Sequence, residues 1–377
     1  MPHSSPDVFT GPSPRQPGVS RVAARSSPEV SSLIPSNAPA DVRAEELAHW
    51  LRDTLQFPAF TLAPASADAS FRRYFRVAPQ APWHGAPDAP SLIVMDAPPA
   101  HEDCRPFVHV ARLLDDAGVH APRVIASDIA RGYLLLSDLG TTTYAAALDP
   151  QSARSLYSDA IDALIRWQCA TRDGVLPPYD EALLARELAL FPDWYVAKHL
   201  RHPLTDAEQA SLATVFRALL ANNLGQPRVF VHRDYHARNL MVTTPNPGVL
   251  DFQDAVHGPI TYDLVSLLRD AYIEWDEDVQ LDWAVRYWER ARRAGLPVAA
   301  DFGAFWRDFE WMGVQRQLKV LGIFARLDIR DGKPRYVGDM PRVLRYVRSA
   351  ALRYREFDPL SALLDTLEAR SPSPISS

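Results

Sequence analysis

The first half of this chain contains short apolar runs typical of strands and longer segments with apolar residues at helical spacing. A capping residue, Asp41, and the apolar spacing after it predict a helix to about Leu55. Apolar runs rich in β-branched and aromatic residues predict four strands, at 71–77, 91–95, 123–126 and 133–136. Helical spacing is expected over 101–117. The pattern therefore predicts a small, strand-rich module over residues 41–136.

From Thr141 onward, apolar positions recur mainly at helical spacing. The pattern predicts six helices, over 150–171, 180–200, 205–223, 261–274, 278–294 and 301–325. A strand-like segment, 229–254, interrupts them. Within it, two short apolar runs at 240–242 and 249–250 flank a turn of Pro, Asn and Gly, which is typical of a hairpin.

Residues 1–40 differ from both parts, with eight prolines, nine serines and almost no apolar clustering. Such a segment buries too little surface to offset its ordering entropy, so we expect it to be disordered. Arg15, Arg21 and Arg25 weakly resemble a mitochondrial-type presequence. The scattered prolines would interrupt the amphipathic helix that such a presequence requires.

Composition narrows the possible classes of protein. The 377 residues carry 40 Lys and Arg against 46 Asp and Glu, and this balance argues against a general nucleic-acid binder. Two cysteines cannot form a disulfide framework and suit a reducing compartment. No uninterrupted apolar stretch approaches the length of a membrane span. We therefore expect a cytoplasmic protein that acts on neither nucleic acid nor membrane.

Candidate chemistry concentrates in the strand-like segment. Its first strand leads into a loop that contains Asp234 and, five residues later, Asn239. The predicted hairpin brings Asp251 back beside Asn239. Two carboxylates and a carboxamide suit Mg²⁺, and phosphoryl transfer requires a metal and a carboxylate that accepts a proton. We expect Asp234 to be the base and Asn239 and Asp251 to hold the metal.

Neighbouring polar residues allow other interpretations. His232 and His236 are four apart, a spacing that on a helix can ligate zinc, but no Cys or third His stands nearby to complete such a site. We expect His232 to pack at the base of the loop and Asp263 to hydrogen-bond backbone N–H groups of the loop. The role of Asp254 stays open between supporting the metal ligands and capping a loop.

The loop 232–239 and the triplet Asp251–Gln253 resemble the catalytic and metal-binding segments of protein-kinase-like phosphotransferases, specifically the aminoglycoside phosphotransferase and choline kinase branch. Four further stretches are similar to bacterial kinases that phosphorylate the anomeric position of N-acetylmuramate and N-acetylglucosamine, at 66–77, 92–99, 249–268 and 311–333. The similarity extends over roughly residues 41–360.

This resemblance implies an α+β, bilobed protein-kinase-like fold, with a small β-rich N-lobe and a large helical C-lobe. After the tail, the nucleotide-binding lobe would be 41–136, the hinge 137–140 and the C-lobe 141–365. It also implies ATP and Mg²⁺ as cofactors, with Ser137 and Leu139 beside the nucleotide. The product would be a sugar 1-phosphate in cell-wall recycling.

The small lobe departs from the general kinase pattern. There is no Gly-rich loop, and the turn over the phosphates would be 67–70. The strand that usually carries a phosphate-pairing Lys ends in Met95-Asp96 instead. Arg72, Arg73 and Arg76 are the candidate replacement cations, although the alternation of a strand prevents all three from reaching one ligand. The alternative is that they are solvated charges at a sheet edge.

The acceptor would bind near the last predicted helix. Residues 316–355 carry eleven Lys and Arg against three Asp and Glu. Trp311, Gln315 and Lys319 share a helix face with Arg316 adjacent, so these four are candidate contacts for a sugar with an acidic substituent. Aromatic residues at helical spacing are, however, more often part of the core.

Two alternatives to an amino-sugar kinase remain open. An aminoglycoside or choline-type acceptor would keep the chemistry but require an acidic pocket. A non-catalytic scaffold would explain the missing Lys, but not the joint presence of Asp234, Asn239 and Asp251. We expect ATP and a small amino sugar as partners, and no obligate protein partner.

Overall fold

The structure is a computed structural model that describes residues 41–67 and 71–370. It divides into two units, Met1–Glu46 and Leu47–Ser377, and the second unit contains a five-stranded sheet and the helices that follow it. The predicted disorder of residues 1–40 lies outside the described residues. So does most of the predicted phosphate turn, at 68–70.

The five-stranded antiparallel sheet forms the N-terminal part of the second unit. Its strands are β1 (Phe60–Ala67), β2 (Arg73–Pro79), β3 (Leu92–Asp96), β4 (Val124–Asp128) and β5 (Tyr133–Ser137). They lie in the order β1-β2-β3-β5-β4. The four predicted strands are confirmed within a few residues. The pattern did not predict β1, because this edge strand contains Pro64, where the register with β2 shifts.

The two faces of the sheet pack against different cores. Val94 and Leu135 face one side, in a cluster that includes Trp50 and Trp83. The opposite face belongs to the main core, in which Leu134 and the helix α2 (Arg105–Asp116) take part. Apolar side chains on both faces explain why β3 and β5 read as nearly continuous apolar runs.

Most of the remaining chain is helical. Besides α2, the helices are α1 (Val42–His49), α3 (Tyr144–Ala147), α4 (Ala153–Cys169), α5 (Glu181–Leu190), α6 (Asp206–Gly225), α7 (Tyr262–Leu268), α8 (Glu277–Arg293), α9 (Phe302–Ile329), α10 (Met340–Ala351) and α11 (Asp358–Arg370). The predicted helix 180–200 changes from α-helical to wider π-helical turns at Phe191–His199. The change begins beside Pro192, which lacks the backbone N–H that a continuing α-helix would use. The pattern did not predict α10 and α11.

Two short ladders interrupt the helices and hold the candidate loop. β6 (Arg228–Val231) pairs with β9 (Val256–Pro259), and β7 (Leu240–Met241) pairs with β8 (Gly248–Val249). The second ladder confirms the predicted hairpin. Among the described residues, none of the helices combines the length and apolar character that crossing a membrane requires.

Candidate active site

A buried carboxylate fixes the loop 232–239 that follows β6. Asp263, on α7, accepts hydrogen bonds from the backbone N–H groups of His232 at 2.6 Å and Arg233 at 2.9 Å. Burial raises the pKa of Asp263 to about 7, and burial lowers the pKa of His232 to about 4. The predicted structural role of Asp263 is confirmed. His232 accepts a hydrogen bond from the Asp234 N–H, so it supports the base of the loop, as predicted.

The structure brings the three residues of the predicted catalytic set to one place. Asn239 Nδ2 donates to the backbone oxygen of Asp234 at 3.0 Å and to Asp251 Oδ2 at 3.3 Å. The Leu250 N–H donates to the Asn239 carbonyl at 2.9 Å. This hydrogen bond extends the pairing of the hairpin to the residue before Asp251. The short sequence spacing thus brings the side chains of Asn239 and Asp251 together beside the backbone of Asp234.

Asp251 has an unusual backbone conformation. Its φ of +62° lies in the left-handed region, which few residues other than glycine adopt. The turn places Phe252 in the core, 4.6 Å between ring centroids from Phe107 of α2. Gln253 Nε2 donates to Asp251 Oδ1 at 2.8 Å. The strained turn therefore coincides with the proposed metal ligand, as backbone strain often does at functional sites.

One candidate arginine lies beside Asp251. Arg72 precedes β2, and its Nη2 is 3.9 Å from Asp251 Oδ1, while its Nε is 3.9 Å from Glu102 Oε2. We call Arg72, Glu102 and Asp251 the nucleotide side of the site. The side chains of Glu102 and Asp251 are 20% and 35% exposed, so this side is open to a ligand.

The structure does not bring Arg73 to Asp251. Arg73 Nε donates to Asp96 Oδ2 at 2.9 Å, and these two residues are direct partners across β2 and β3. Arg76 pairs with Asp138 instead. Alternation along β2 sends Arg73 and Arg76 to opposite faces, whereas Arg72 precedes the strand, and a contact between Arg73 and the nucleotide stays a prediction.

The two predicted hinge residues contact different parts of the structure, Ser137 the residue before β4 and Leu139 the hairpin of β7 and β8. The Ser137 N–H donates to the Arg123 carbonyl at 3.0 Å, and its Oγ accepts from the Arg123 N–H at 2.9 Å. Leu139 is buried and lies close to the hairpin. Its Cδ1 would be only 2.9 Å from a Cβ built on Gly248 of β8. Their contact with a nucleotide stays a prediction.

A buried ionic cluster lies on the other side of the loop. Glu187, on α5, is 2.8 Å from Lys319 Nζ and 2.7 Å from Arg233 Nη2. It also accepts hydrogen bonds from Tyr179 Oη and Gln315 Nε2. We call these five residues the Glu187 cluster. Because α9 supplies Lys319 and Gln315, the cluster fixes that helix against the loop.

The cluster controls the charge of Asp234. Burial by itself raises the pKa of Asp234, but the positive charges of Lys319, His236, Arg316 and Arg233 hold it below its usual range. Burial likewise opposes the charge of Lys319, yet the neighbouring Tyr262 and Glu187 keep its pKa raised. Asp234 is therefore an ionised carboxylate, the form that can accept a proton.

The four predicted substrate residues separate into two groups. Gln315 and Lys319 belong to the Glu187 cluster, and Arg316 is buried close enough to the loop to lower the pKa of its carboxylate. Trp311 instead packs in the core, 4.7 Å between ring centroids from Phe357. The structure therefore does not bring Trp311 to the others, in line with the ordinary role of an aromatic residue at helical spacing.

The pattern did not reveal three acidic side chains of the site. Glu187 and Glu102 lie in other elements than the residues they pair with. Asp270 is buried and accepts from the backbone N–H of Ala237 at 2.9 Å, which gives the loop a second anchor. No spacing marks such long-range partners. Asp254, which the sequence left undecided, has an exposed side chain.

The donor set fits a hard cation that keeps most of its own ligands. Among residues 41–67 and 71–370, no group of three or more His, Cys, Asp and Glu side chains could hold a metal. This finding leaves the zinc alternative at His232 and His236 without support. Asn239 and Asp251 supply two protein oxygens, as is usual for Mg²⁺ bound together with phosphate and water.

Two surface cavities lie elsewhere in the described structure. One, of about 430 Å³, is lined by residues that include Pro192 and Leu212. The other, of about 510 Å³, is lined by residues that include Arg154 and Arg290. Neither contains a residue of the catalytic loop or of the Glu187 cluster.

Comparison with known proteins gives one family and a set of similar kinases. Residues 61–302 match the model of the phosphotransferase enzyme family. The chain is 51% identical over 337 residues to an N-acetylmuramate/N-acetylglucosamine kinase of Pseudomonas aeruginosa, with 87% of this chain and 97% of that protein covered. It is 48% identical over 326 residues to a kinase of the same name from Neisseria meningitidis, covering 85% and 95%.

Solved structures with the same fold include small-molecule kinases. An amicoumacin kinase in complex with AMP-PNP, Ca²⁺ and its ligand matches with a TM-score of 0.57 at 13% identity, covering 81% of this chain and 94% of that one. A choline/ethanolamine kinase family protein from Mesorhizobium loti matches with a TM-score of 0.53 at 16% identity, covering 86% and 99%. The predicted protein-kinase-like fold is confirmed.

Proposed function

This chain belongs to the phosphotransferase enzyme family, and we propose that it is an ATP-dependent kinase that phosphorylates the anomeric hydroxyl of N-acetylmuramate and N-acetylglucosamine. The observation that carries the proposal is the pair of relatives named for these two sugars, each about half identical to this chain over nearly their whole length. The geometry around Asp234 and Asp251 supports the chemistry.

Asp234 would act on the acceptor. In the transfer, the anomeric oxygen forms a bond to the γ-phosphorus while the bond from that phosphorus to the ADP oxygen breaks. The hydroxyl proton passes to Asp234. The lowered pKa of Asp234 keeps the carboxylate ready for this proton. Hydrogen bonds that Asp263 and Asp270 accept from the loop backbone would hold the carboxylate in place.

Asn239 and Asp251 would hold Mg²⁺, which supplies positive charge that neutralises the phosphate oxygens. Arg72 would add a second positive charge from the small lobe, taking the place of the Lys that is absent from β3. Its Nη2 lies 3.9 Å from Asp251 Oδ1, beside the proposed metal ligand, where a positive charge would stabilise the charge that develops on the phosphate oxygens.

Lobe boundaries follow from the same proposal. Residues 41–136 would bind the nucleotide, 137–140 would form the hinge and 141–365 would carry the acceptor site. Leu139, buried against the hairpin, would lie beside the adenine, together with Ser137. The Glu187 cluster would line the acceptor site, with Gln315 and Lys319 facing the sugar.

A panel of acceptors tests this function. The protein is incubated with ATP, Mg²⁺ and either N-acetylmuramate, N-acetylglucosamine, choline or an aminoglycoside, and ADP release and ³¹P NMR spectra are recorded. We expect turnover of the two amino sugars, with a product that has lost its reducing end. The Asp234→Asn variant, purified in the same way, controls for contaminating kinases.

The other outcomes would each overturn the proposal differently. Turnover of choline or the aminoglycoside alone would replace the acceptor but keep the chemistry. ATP binding without turnover of any acceptor would favour a scaffold. Phosphorylation at a position that leaves the sugar reducing would exclude the anomeric hydroxyl.

A further inference from the structure

Arg316 is a buried cation that forms no salt bridge within the part of the chain that the structure describes. Arg316 is 4% exposed, and its Nε and Nη1 atoms have no hydrogen-bond partner among residues 41–67 and 71–370. Two other lysine or arginine residues of the described structure are comparably buried, and both are paired: Lys319 with Glu187 and Arg269 with Glu310. Arg269 also has an unpartnered Nε and Nη1, but its Nη2 pairs with Glu310, so of these three buried cations Arg316 is the one that forms no salt bridge.

An unpaired guanidinium inside a protein is costly. Removing a charge from water carries a large desolvation penalty, which a partner anion normally offsets. Arginine cannot escape the penalty by losing its proton. A buried arginine with two unsatisfied N–H groups therefore indicates that an anion binds there when the site is filled.

Arg316 lies at the acceptor site. Its positive charge lowers the pKa of Asp234, and it also acts on His236 and Asp263, all three from the catalytic loop or its anchor. It extends from α9, which also supplies Lys319. Arg72, by contrast, lies beside Asp251 on the nucleotide side. The phosphate groups thus already have a cation of their own.

The two proposed sugars differ in one charged group. N-acetylmuramate carries a lactyl ether at C3 that ends in a carboxylate, and N-acetylglucosamine has a hydroxyl there. With the anomeric hydroxyl at Asp234, C3 is two carbons away on the same ring. A carboxylate is also the anion that the planar fork of a guanidinium binds with two parallel hydrogen bonds.

We infer that Arg316 binds the lactyl carboxylate of N-acetylmuramate and sets the preference between the two sugars, an inference that rests on the kinase function proposed above. Arg316 would make no equivalent contact with N-acetylglucosamine. It is therefore a specificity-determining residue, whereas Asp234 serves both substrates.

The test compares kcat/KM for both sugars in the wild type and in the Arg316→Gln variant. A hydrogen bond to a charged group is worth roughly 10- to 100-fold in affinity, so kcat/KM for N-acetylmuramate should fall by about that factor. The value for N-acetylglucosamine should fall less, because this sugar loses only the effect of the Arg316 charge on Asp234 and no charged contact of its own, so the ratio of the two values is the readout. Arg330→Gln, an exposed charge paired with Asp331 at the end of α9, is the matched control and should change neither value.

A second measurement does not depend on the folding of a variant. In the wild type, N-acetylmuramate with its carboxylate converted to the amide should lose about the same factor as Arg316→Gln, and the variant should no longer distinguish acid from amide.

Three results would overturn the inference. An equal fall for both sugars would assign Arg316 to the transfer step, and an unchanged ratio would remove it from specificity. Equal turnover of acid and amide by the wild type would show that the carboxylate is not recognised. These results differ from failure of the proposed function, in which the wild type would phosphorylate neither sugar.

Discussion

The two sides of the candidate site hold their charges differently. On the nucleotide side, Arg72 lies 3.9 Å from both Glu102 and Asp251, and Asp251 is 35% exposed. In the Glu187 cluster, Lys319 and Arg233 lie 2.8 and 2.7 Å from a carboxylate that is 7% exposed. The Asp251 carboxylate is thus more exposed than that of Glu187, and its contact with Arg72 is longer than the contacts within the Glu187 cluster.

This difference matches what each ligand would bring. ATP and Mg²⁺ carry their own charges and water, so protein groups that bind them can remain separated and solvated until the ligand arrives. A sugar hydroxyl is neutral, and the groups that orient it and ionise the base must be fixed beforehand. The Glu187 cluster gives Asp234 that fixed environment.

The largest expected effect is a loss of kcat that leaves ATP binding on the nucleotide side unchanged. Asp234→Asn removes the proton acceptor, and general-base catalysis is worth about 10²- to 10⁴-fold, so kcat should fall by that factor. KM for ATP should remain near the wild-type value, since this carboxylate acts on the acceptor. Steady-state kinetics at saturating sugar measure both. A wild-type kcat would remove Asp234 from the mechanism.

A second substitution separates the sides by stability. Glu187→Gln removes the buried carboxylate with which Lys319 and Arg233 pair, and breaking a buried ion pair costs about 3 kcal/mol or more. Urea unfolding measures the loss. Glu356→Gln, at an exposed pair with Arg307, is the control and should cost less than about 0.5 kcal/mol.

Asp251→Asn refines the same comparison. Because Asp251 is more exposed and its pair with Arg72 is long, this variant should lose less stability than Glu187→Gln. Urea unfolding of the two variants side by side measures the difference. Equal losses would mean that the nucleotide side is as tightly built as the Glu187 cluster, and the contrast between the two sides would disappear.

The last prediction concerns pH and the anchor of the loop. Burial raises the pKa of Asp263 to about 7 from an ordinary value of 3.8. The folded protein therefore binds a proton here that the unfolded chain releases between about pH 4 and 7, so the stabilising contribution of Asp263 is complete below pH 4 and lost as pH rises to 7.

Comparison with Asp263→Asn isolates this contribution. The difference in unfolding free energy, wild type minus variant, should decrease by up to about 1.4 kcal/mol for each pH unit over that range. His232 titrates in both proteins, so its effect largely cancels in the difference. A difference that does not change between pH 4 and 7 would contradict the raised pKa.

The sequence predicted the catalytic loop well because its residues are close together in the chain. Asp234, Asn239 and Asp251 lie within eighteen residues, and a hairpin of two short runs is enough to bring them together. The anchoring role of Asp263 was also predictable, since a carboxylate at the start of a helix can reach nearby backbone N–H groups.

The partners of the arginines and lysines were not predictable in this way. Arg72 and Arg73 are adjacent, yet one lies beside Asp251 and the other pairs with Asp96, and only the register of β2 with β3 decides between them. Glu187 is 132 residues from Lys319 in the chain and lies within an ordinary helical run. Long-range packing alone selects such pairs, as it selects the core position of Trp311.

Calorimetric titration of MgATP into the Asp234→Asn and Asp251→Asn variants tests the central claim, that the loop holds a base for the acceptor and, beside it, a ligand for the metal of the nucleotide. The account predicts that Asp234→Asn binds MgATP with an affinity close to that of the wild type, whereas Asp251→Asn binds it far more weakly. Wild-type affinity in both variants, or an equal loss in both, would contradict the division of the site into its two sides.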